Sequence, residues 1–227
     1  MKLIPITPET VGVLSQIPPF MELSEGTLSR YAEELDFKAF SAKKGELIVA
    51  QGDLCQRLYV LIHGKLRVDT VDPGGESIFI GYTESPEIFA VYPFFSKDNR
   101  LLSSFTAVKD VVFLSIGRDA FKEILRAHPE FAYDFMSLSC QSLKCRQNRL
   151  TVLSRRTIRE KIVSYLFLYR TDPGKSKVIH SQTQLADYMS VSRPALSTEV
   201  NKLEKEGLIR RELGGVVYFS ERLTEYL

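Results

Sequence analysis

"HSQTQLADYMSVSRPALSTEVNKLEKEGLIRRELGGVVYFS", residues 180–220, is the stretch whose reading decides the fold. Ser181 followed by Gln184 is a capping box, in which each side chain satisfies a backbone donor at a helix start. Leu185 and Met189 fall on the inward face, and Ala186 is small where two crossing helices must approach closely. The helix stops at "MSVS", and Ser192 caps a second helix whose first turn holds Pro194. Leu196, Val200 and Leu203 form its apolar stripe. A connection of three to four residues between two such helices is what a helix-turn-helix requires. "LIRRELGGVVYF" then reads as two short strands around Gly214-Gly215, a wing that carries Arg210 and Arg211.

The other face of the second helix carries Arg193, Ser197, Thr198, Asn201 and Lys202. Short polar groups flanked by cations suit base edges and phosphates in a major groove. Arg193 is the expected base reader, because arginine pairs bidentately with guanine. Gln182, Ser192 and Lys202 are the expected phosphate contacts, and the helix N-terminus adds free N–H groups. A solvated helical hairpin that binds nothing is the bland alternative. The cap, the small residue, the turn length and the basic wing agree against it.

The charge distribution is compatible with that reading. The 227 residues carry a formal net charge of +2. Residues 154–227 hold 13 Lys+Arg against 9 Asp+Glu, a net +4, which leaves −2 on the rest. The basic third is weak support for a polyanion partner, since a solvated surface could also carry such a difference.

Upstream, residues 1 to about 117 are mostly strand-like, with short apolar stretches punctuated by Gly, Asp and Pro. "DPGGES" is a turn, and "LSSFTAVKDVVFLSI" reads as a strand pair turning at Lys109-Asp110. Several short strands at close spacing suggest an antiparallel sandwich or barrel. "LSEGTLSRYAEELDF" reads as a short helix capped by Ser24. Pro129 should open a helix of about seven turns reaching Leu153. Phe131, Leu138, Cys145 and Val152 recur on one face of it, and Met136, Leu143 and Leu150 on another. Two apolar faces need two partners: both lie within one monomer, or one meets a partner helix. Ser154 is the expected cap of the next helix, with Ile158, Ile162, Leu166 and Tyr169 on its buried face. The expected division is 1–128, 129–153 and 154–227.

Here the chain resembles the Crp/Fnr family of bacterial transcription regulators. "SRPALSTEVNKLEKEGLI" looks like that family's recognition helix and its exit, and "GELIVAQGDLCQRLYVLIHGKLRV" like its glycine-punctuated strands. The resemblance covers essentially the full length. It implies an α+β chain: an antiparallel β-roll (jelly roll) of the cyclic-nucleotide-binding type, a long dimerisation helix and a C-terminal winged helix-turn-helix. It further implies a homodimer on two-fold-symmetric double-stranded DNA, acting with RNA polymerase. Pro194 and Thr198 stand at two positions that the family often uses for readout, so its target sequence does not carry over.

In the family's cyclic-nucleotide binders a Gly-Glu pair holds the ribose and an Arg-Ser pair the cyclic phosphate. The corresponding stretch is "EIFAVYPFFSKDNRLLSSF". Ala90 and Val91 stand for Gly-Glu, and the Arg-Ser place falls at Leu101-Leu102, with Arg100 displaced by one. A one-residue shift on an extended segment reverses side-chain direction. Cyclic AMP is therefore not the expected effector, although a divergent pocket remains an alternative. Tyr92, Phe94, Phe95 and Arg100, with Arg146 and Gln147 from the long helix, would suit a small organic anion. In a constitutive regulator the roll would serve only dimerisation, and Tyr92 and Phe94 would fill the space.

Other classes find little support. Cys55, Cys140 and Cys145 make neither a disulfide framework nor an iron–sulfur ligand set, and an intersubunit bridge at Cys145 is the one pairing left open. His63, His128 and His180 lack metal-ligand spacing, so no metal or cofactor is expected. No nucleophile–base pair or phosphate loop supports an enzyme. No apolar run reaches membrane-spanning length, and Pro5 and Pro8 interrupt any signal-peptide core, so a cytoplasmic protein is expected.

Overall fold

The computed structural model describes residues 1–227, apart from the side chain of Ser142. The chain divides into two compact units, Met1–Cys140 and Gln141–Leu227.

The first unit begins with β1 (Lys2–Ile4), α1 (Pro8–Leu14) and α2 (Glu25–Glu34). Thr7 and Ser24 cap the two helices by accepting from Thr10 N and Thr27 N. Seven strands and a short helix follow: β2 (Phe37–Ala42), β3 (Leu47–Val49), β4 (Arg57–His63), β5 (Lys65–Val71), β6 (Ser77–Glu84), β7 (Glu87–Phe89), α3 (Val91–Phe95) and β8 (Ser104–Ala107). β9 (Val111–Gly117) and α4 (Arg118–Ala127) complete the unit before the long helix α5 (Pro129–Leu153). The strands form two antiparallel sheets, ordered β1-β2-β9-β4-β7 and β3-β8-β5-β6.

β8 and β9 do not pair with each other, contrary to the strand pair expected across Lys109-Asp110. β8 pairs with β3 and β5, and β9 with β2 and β4. The chain changes sheet at that turn, as it does between β4 and β5. The two crossings pack together: a Cβ at Gly64 would lie 2.6 Å from Val111 Cγ1 and 2.8 Å from the Asp110 carbonyl oxygen. With φ at +112°, Gly64 also has the backbone that only glycine adopts freely. Lys43 Nζ and the Lys44 amide both donate to the Asp110 carboxylate and pin the second crossing. The "DPGGES" turn joins β5 to β6 as expected.

Rings fill the space between the sheets. Phe89 and Phe105, from opposite sheets, stand 5.0 Å apart between centroids, with Tyr59 5.3 Å and Phe113 6.5 Å from Phe89. Phe20, Phe121, Phe131 and Phe135 pack in the same core, the last two supplied by the first turns of α5.

The second unit contains the end of α5 and then α6 (Ile158–Leu168), β10 (Arg170–Asp172), β11 (Lys175–Lys177), α7 (Gln182–Met189), α8 (Arg193–Lys205), β12 (Ile209–Arg211) and β13 (Val216–Phe219). Thr157, not Ser154, caps α6, in a reciprocal capping box with Glu160. The Ser154 hydroxyl instead donates back to the Thr151 carbonyl. "TDPGKSK" is the hairpin between β10 and β11, which extends the wing into a four-stranded sheet ordered β10-β11-β13-β12. Leu196, Leu203, Met189, Val163 and Leu223 are buried in its core. Each large aliphatic side chain so buried contributes about 1.5–3 kcal/mol from water exclusion.

On α5, Phe131 and Val152 are buried and Cys145 is exposed. Met136, Leu143 and Leu150 are 67%, 61% and 67% exposed in the single chain. No helix among the described residues is long and apolar enough to cross a membrane.

Candidate nucleic-acid interface

The local sequence builds the α7–α8 pair from its caps. Ser181 Oγ accepts from Gln184 N at 3.3 Å, and Gln184 Oε1 accepts from Ser181 N at 2.9 Å. Ser192 Oγ accepts from Ala195 N at 3.3 Å. Between the helices Ser190 takes a left-handed backbone, φ 53°, which turns the chain sharply enough for α8 to cross α7. Ala186 is buried at that crossing and accepts from Val191 N.

The last carbonyls of α7 are gripped from both sides. Arg149 on α5 donates to the Tyr188 and Asp187 carbonyls at 3.2 and 3.3 Å, and Lys161 on α6 donates to Met189 O at 2.9 Å. Cations at a helix C-terminus satisfy its orphan carbonyls and oppose its dipole. On α8, Arg159 from α6 bonds Glu199 at 2.7 Å and Glu206 at 2.8 Å, which fixes that helix against the unit. Sequence reasoning missed these three positioning residues. The Thr157–Glu160 capping box that starts α6 was missed with them, because Ser154 was taken as the cap.

The seven expected DNA contacts share one exposed region. Gln182, Ser192 and Arg193 lie at the helix starts, and Thr198, Asn201 and Lys202 follow along α8, all exposed, with Ser197 half-buried. Their freedom differs. Thr198 already donates to the Pro194 carbonyl at 2.9 Å, so its hydroxyl proton faces its own helix. Asn201 Oδ1 accepts from Arg211 at 3.0 Å, which leaves its amide N–H₂ outward. Lys202 sits 3.7 Å from Glu199. Arg193 makes no ion pair among the described residues and is the least committed cation on the face.

The wing arginines are not the bare cations the sequence suggested. Arg211 is paired with Glu204 at 2.9 Å, and its guanidinium holds the Glu204 carboxyl below its usual range. Arg210 is paired with Glu212 at 3.1 Å and lies over the Tyr218 ring.

In the first unit the expected effector residues fare unequally. Tyr92 is 56% exposed. Phe94 is 2% exposed and packs edge-on against Phe95 and Phe121 beneath the Arg118 guanidinium, so it is a core ring and not an open pocket wall. Arg100 is exposed and donates to the Gly52 carbonyl at 2.8 Å. Arg146 and Gln147 are exposed on α5 in the second unit. Ala90 takes a left-handed backbone, φ 56°, at the position where the family's binders place glycine; the Cβ there costs about 1–2 kcal/mol. Leu101 is buried, and no His/Cys/Asp/Glu cluster among the described residues could hold a metal ion.

Residues 39–128 match the model of the cyclic nucleotide-binding domain, and residues 166–215 match that of the MarR family. The cyclic AMP receptor protein of Thermus thermophilus is 28% identical over 183 residues, 80% of this chain and 84% of that protein. A CRP-like cAMP-activated global transcriptional regulator of Mycobacterium tuberculosis is 24% identical over 205 residues, 87% and 89% of the two chains. Over most of its length the chain is similar to Crp/Fnr-type transcription regulators. These relatives are transcription regulators and not enzymes; regulators of this family bind DNA and act as dimers. The regulator's fold is also that of the Thermus thermophilus catabolite activator protein (TM-score 0.51, 23% identity, covering 94% and 97% of the chains). FixK2 from Bradyrhizobium japonicum shares it too (TM-score 0.54, 15% identity, 85% and 98%).

Proposed function

We propose that the regulator binds a two-fold-symmetric operator as a homodimer, through α8, under the control of a small molecule other than cyclic AMP. The carrying observation is the capped, exposed start of α8, where Arg193 stands beside outward polar groups and has no ion-pair partner among the described residues. Arg193 reads a base edge, and Asn201 presents its amide N–H₂ to a second. Gln182, Ser192 and Lys202 hold phosphates, with Ser197 and Thr198 between them.

Dimerisation uses the stripe Met136, Leu143 and Leu150, whose exposure in the single chain leaves an apolar seam for the same helix of a second copy. The expected organisation stands as part of the proposal: roll over 1–128, dimerisation helix over 129–153 and DNA-binding domain over 154–227. The regulator acts in the cytoplasm with RNA polymerase as the downstream partner.

The cyclic-nucleotide cassette supports a different effector. Neither Ala90 nor Val91 has a side chain that can accept from a ribose hydroxyl, and Leu101 and Leu102 give no donor to a phosphate. Tyr92 and Arg100 are the proposed contacts of a small organic anion in the roll. The test is a panel of cyclic nucleotides and organic acids, read by thermal stabilisation and by affinity for duplexes selected from a random pool. Cyclic AMP should change neither reading, and an organic acid should change both. A melting shift and tighter DNA binding with cyclic AMP would reject the effector assignment. Failure to select any duplex would reject the whole reading.

A further inference from the structure

A cavity of about 150 Å³ lies inside the second unit, between α6, α7, α8 and the wing. Its wall is apolar, formed by Ile162, Leu166, Leu185, Met189, Leu196 and Val217. Its polar wall groups are already satisfied: Tyr165 Oη and His180 Nδ1 are 2.8 Å apart, and the same hydroxyl accepts from Ile179 N at 3.3 Å. A cavity of this volume admits a molecule about as large as benzene.

The rim is different. It includes Gln182, Arg193 and Ser197, three residues of the proposed DNA face, together with Arg211 and Glu212 from the wing. Arg211 is neutralised by Glu204, and Glu212 by Arg210. His180 adds no charge at neutral pH, because burial and then the Arg149 guanidinium lower its pKa. Arg193 is left as the rim charge without an ion-pair partner.

We infer that this cavity is a second ligand site, taking a flat, mainly apolar organic anion of about the size of benzoate. The ring lies among the aliphatic side chains and the carboxylate pairs with Arg193. Because the same guanidinium is the proposed base reader, ligand and DNA compete for it. The inference rests on the DNA-binding reading for its consequence, though not for the binding itself.

The test uses the full-length protein, with benzoate as probe, benzyl alcohol as the uncharged analogue and acetate as the anion without a ring. NMR resonances of the Met189 methyl and the His180 ring report occupancy. Benzoate should shift both saturably and with 1:1 stoichiometry. At ten times its own dissociation constant it should weaken DNA binding about eleven-fold, as simple competition requires. Benzyl alcohol should bind at least about ten-fold more weakly for want of the charge-assisted bond, and acetate should shift neither resonance.

Val178, half-buried on the cavity wall, carries no proposed DNA contact. Val178→Phe should fill the space, abolish the benzoate shifts and leave DNA affinity within about two-fold, since it removes no contact to the duplex. If that variant does not fold, Val178→Ile should weaken benzoate several-fold. The proposal is overturned if the two resonances do not saturate, if DNA affinity is unchanged by bound benzoate, or if benzyl alcohol binds as well as benzoate. A protein that binds no duplex even without benzoate would defeat the DNA reading, while the resonance shifts would still decide the cavity.

Discussion

In the β-roll, Phe89 meets Phe105 across the gap between the sheets, with Tyr59 and Phe113 packed around them. In the winged-helix unit, the space between α6, α7, α8 and β13 holds a cavity walled by aliphatic side chains. The resemblance directs attention to the roll as the place where a ligand should sit. The packing puts rings between the sheets of the roll and leaves a separate space beneath α8. A family fold therefore specifies where strands and helices run, while the volume of a few side chains decides which interior is available.

Substitutions in each unit can break this contrast, and the largest effect should come from the roll. Phe105→Ala removes the ring that bridges the sheets and should destabilise the roll by about 3–5 kcal/mol. Urea unfolding followed by roll-specific NMR signals measures this, and a loss under 1 kcal/mol would mean that the rings do not hold the sheets together. In the winged-helix unit, Arg193→Gln should weaken operator binding by about 1–3 kcal/mol, the worth of one bidentate arginine–base contact. A titration at fixed salt checks it.

A smaller, pH-dependent effect should also separate the units. His180 has its pKa lowered in the folded state by burial and by Arg149. Below about pH 6.5, its unfolded value, the unfolded chain binds the proton more readily, so folded stability falls with pH until the folded group titrates. His180→Phe should flatten that loss in the winged-helix unit and leave the roll's acid response unchanged, as unfolding of each unit between pH 7 and pH 5 will show. The smallest effect is expected at Ser190, whose left-handed backbone favours glycine. Ser190→Gly should stabilise the second unit by about 0.5–1 kcal/mol, measurable from its denaturation midpoint.

What could be read from the sequence followed the range of the interactions. Ser24, Ser181 with Gln184, and Ser192 announce their helices because a cap involves residues only three apart. The same logic applied at Ser154 failed because Thr157 and Glu160, three residues on, form the stronger reciprocal cap. The β8–β9 pairing was misread because alternation marks a strand without naming its partner. The partner follows from the contact of Gly64 with Asp110 and Val111, over forty residues away. Phe94 and Tyr92 are both aromatic and two residues apart, yet only packing against Phe121 shows that one is core and the other exposed. On α8 the polar face was legible, but the bonds from Arg211 to Asn201 and from Arg159 to Glu199 join separate elements and leave no local pattern.

The central claim is that α8 reads a symmetric operator with Arg193 at the base edge and Lys202 at the backbone. It is tested most directly by selecting duplexes with the wild type, Arg193→Gln and Lys202→Gln, and then measuring affinity across salt concentrations. The account predicts two inverted half-sites about one helical turn apart, with Arg193→Gln relaxing the preference at one base pair in each half. Lys202→Gln should weaken all sequences alike and reduce the salt slope by about one. Unchanged base preference in Arg193→Gln, or selected duplexes with no repeated half-site, would contradict it.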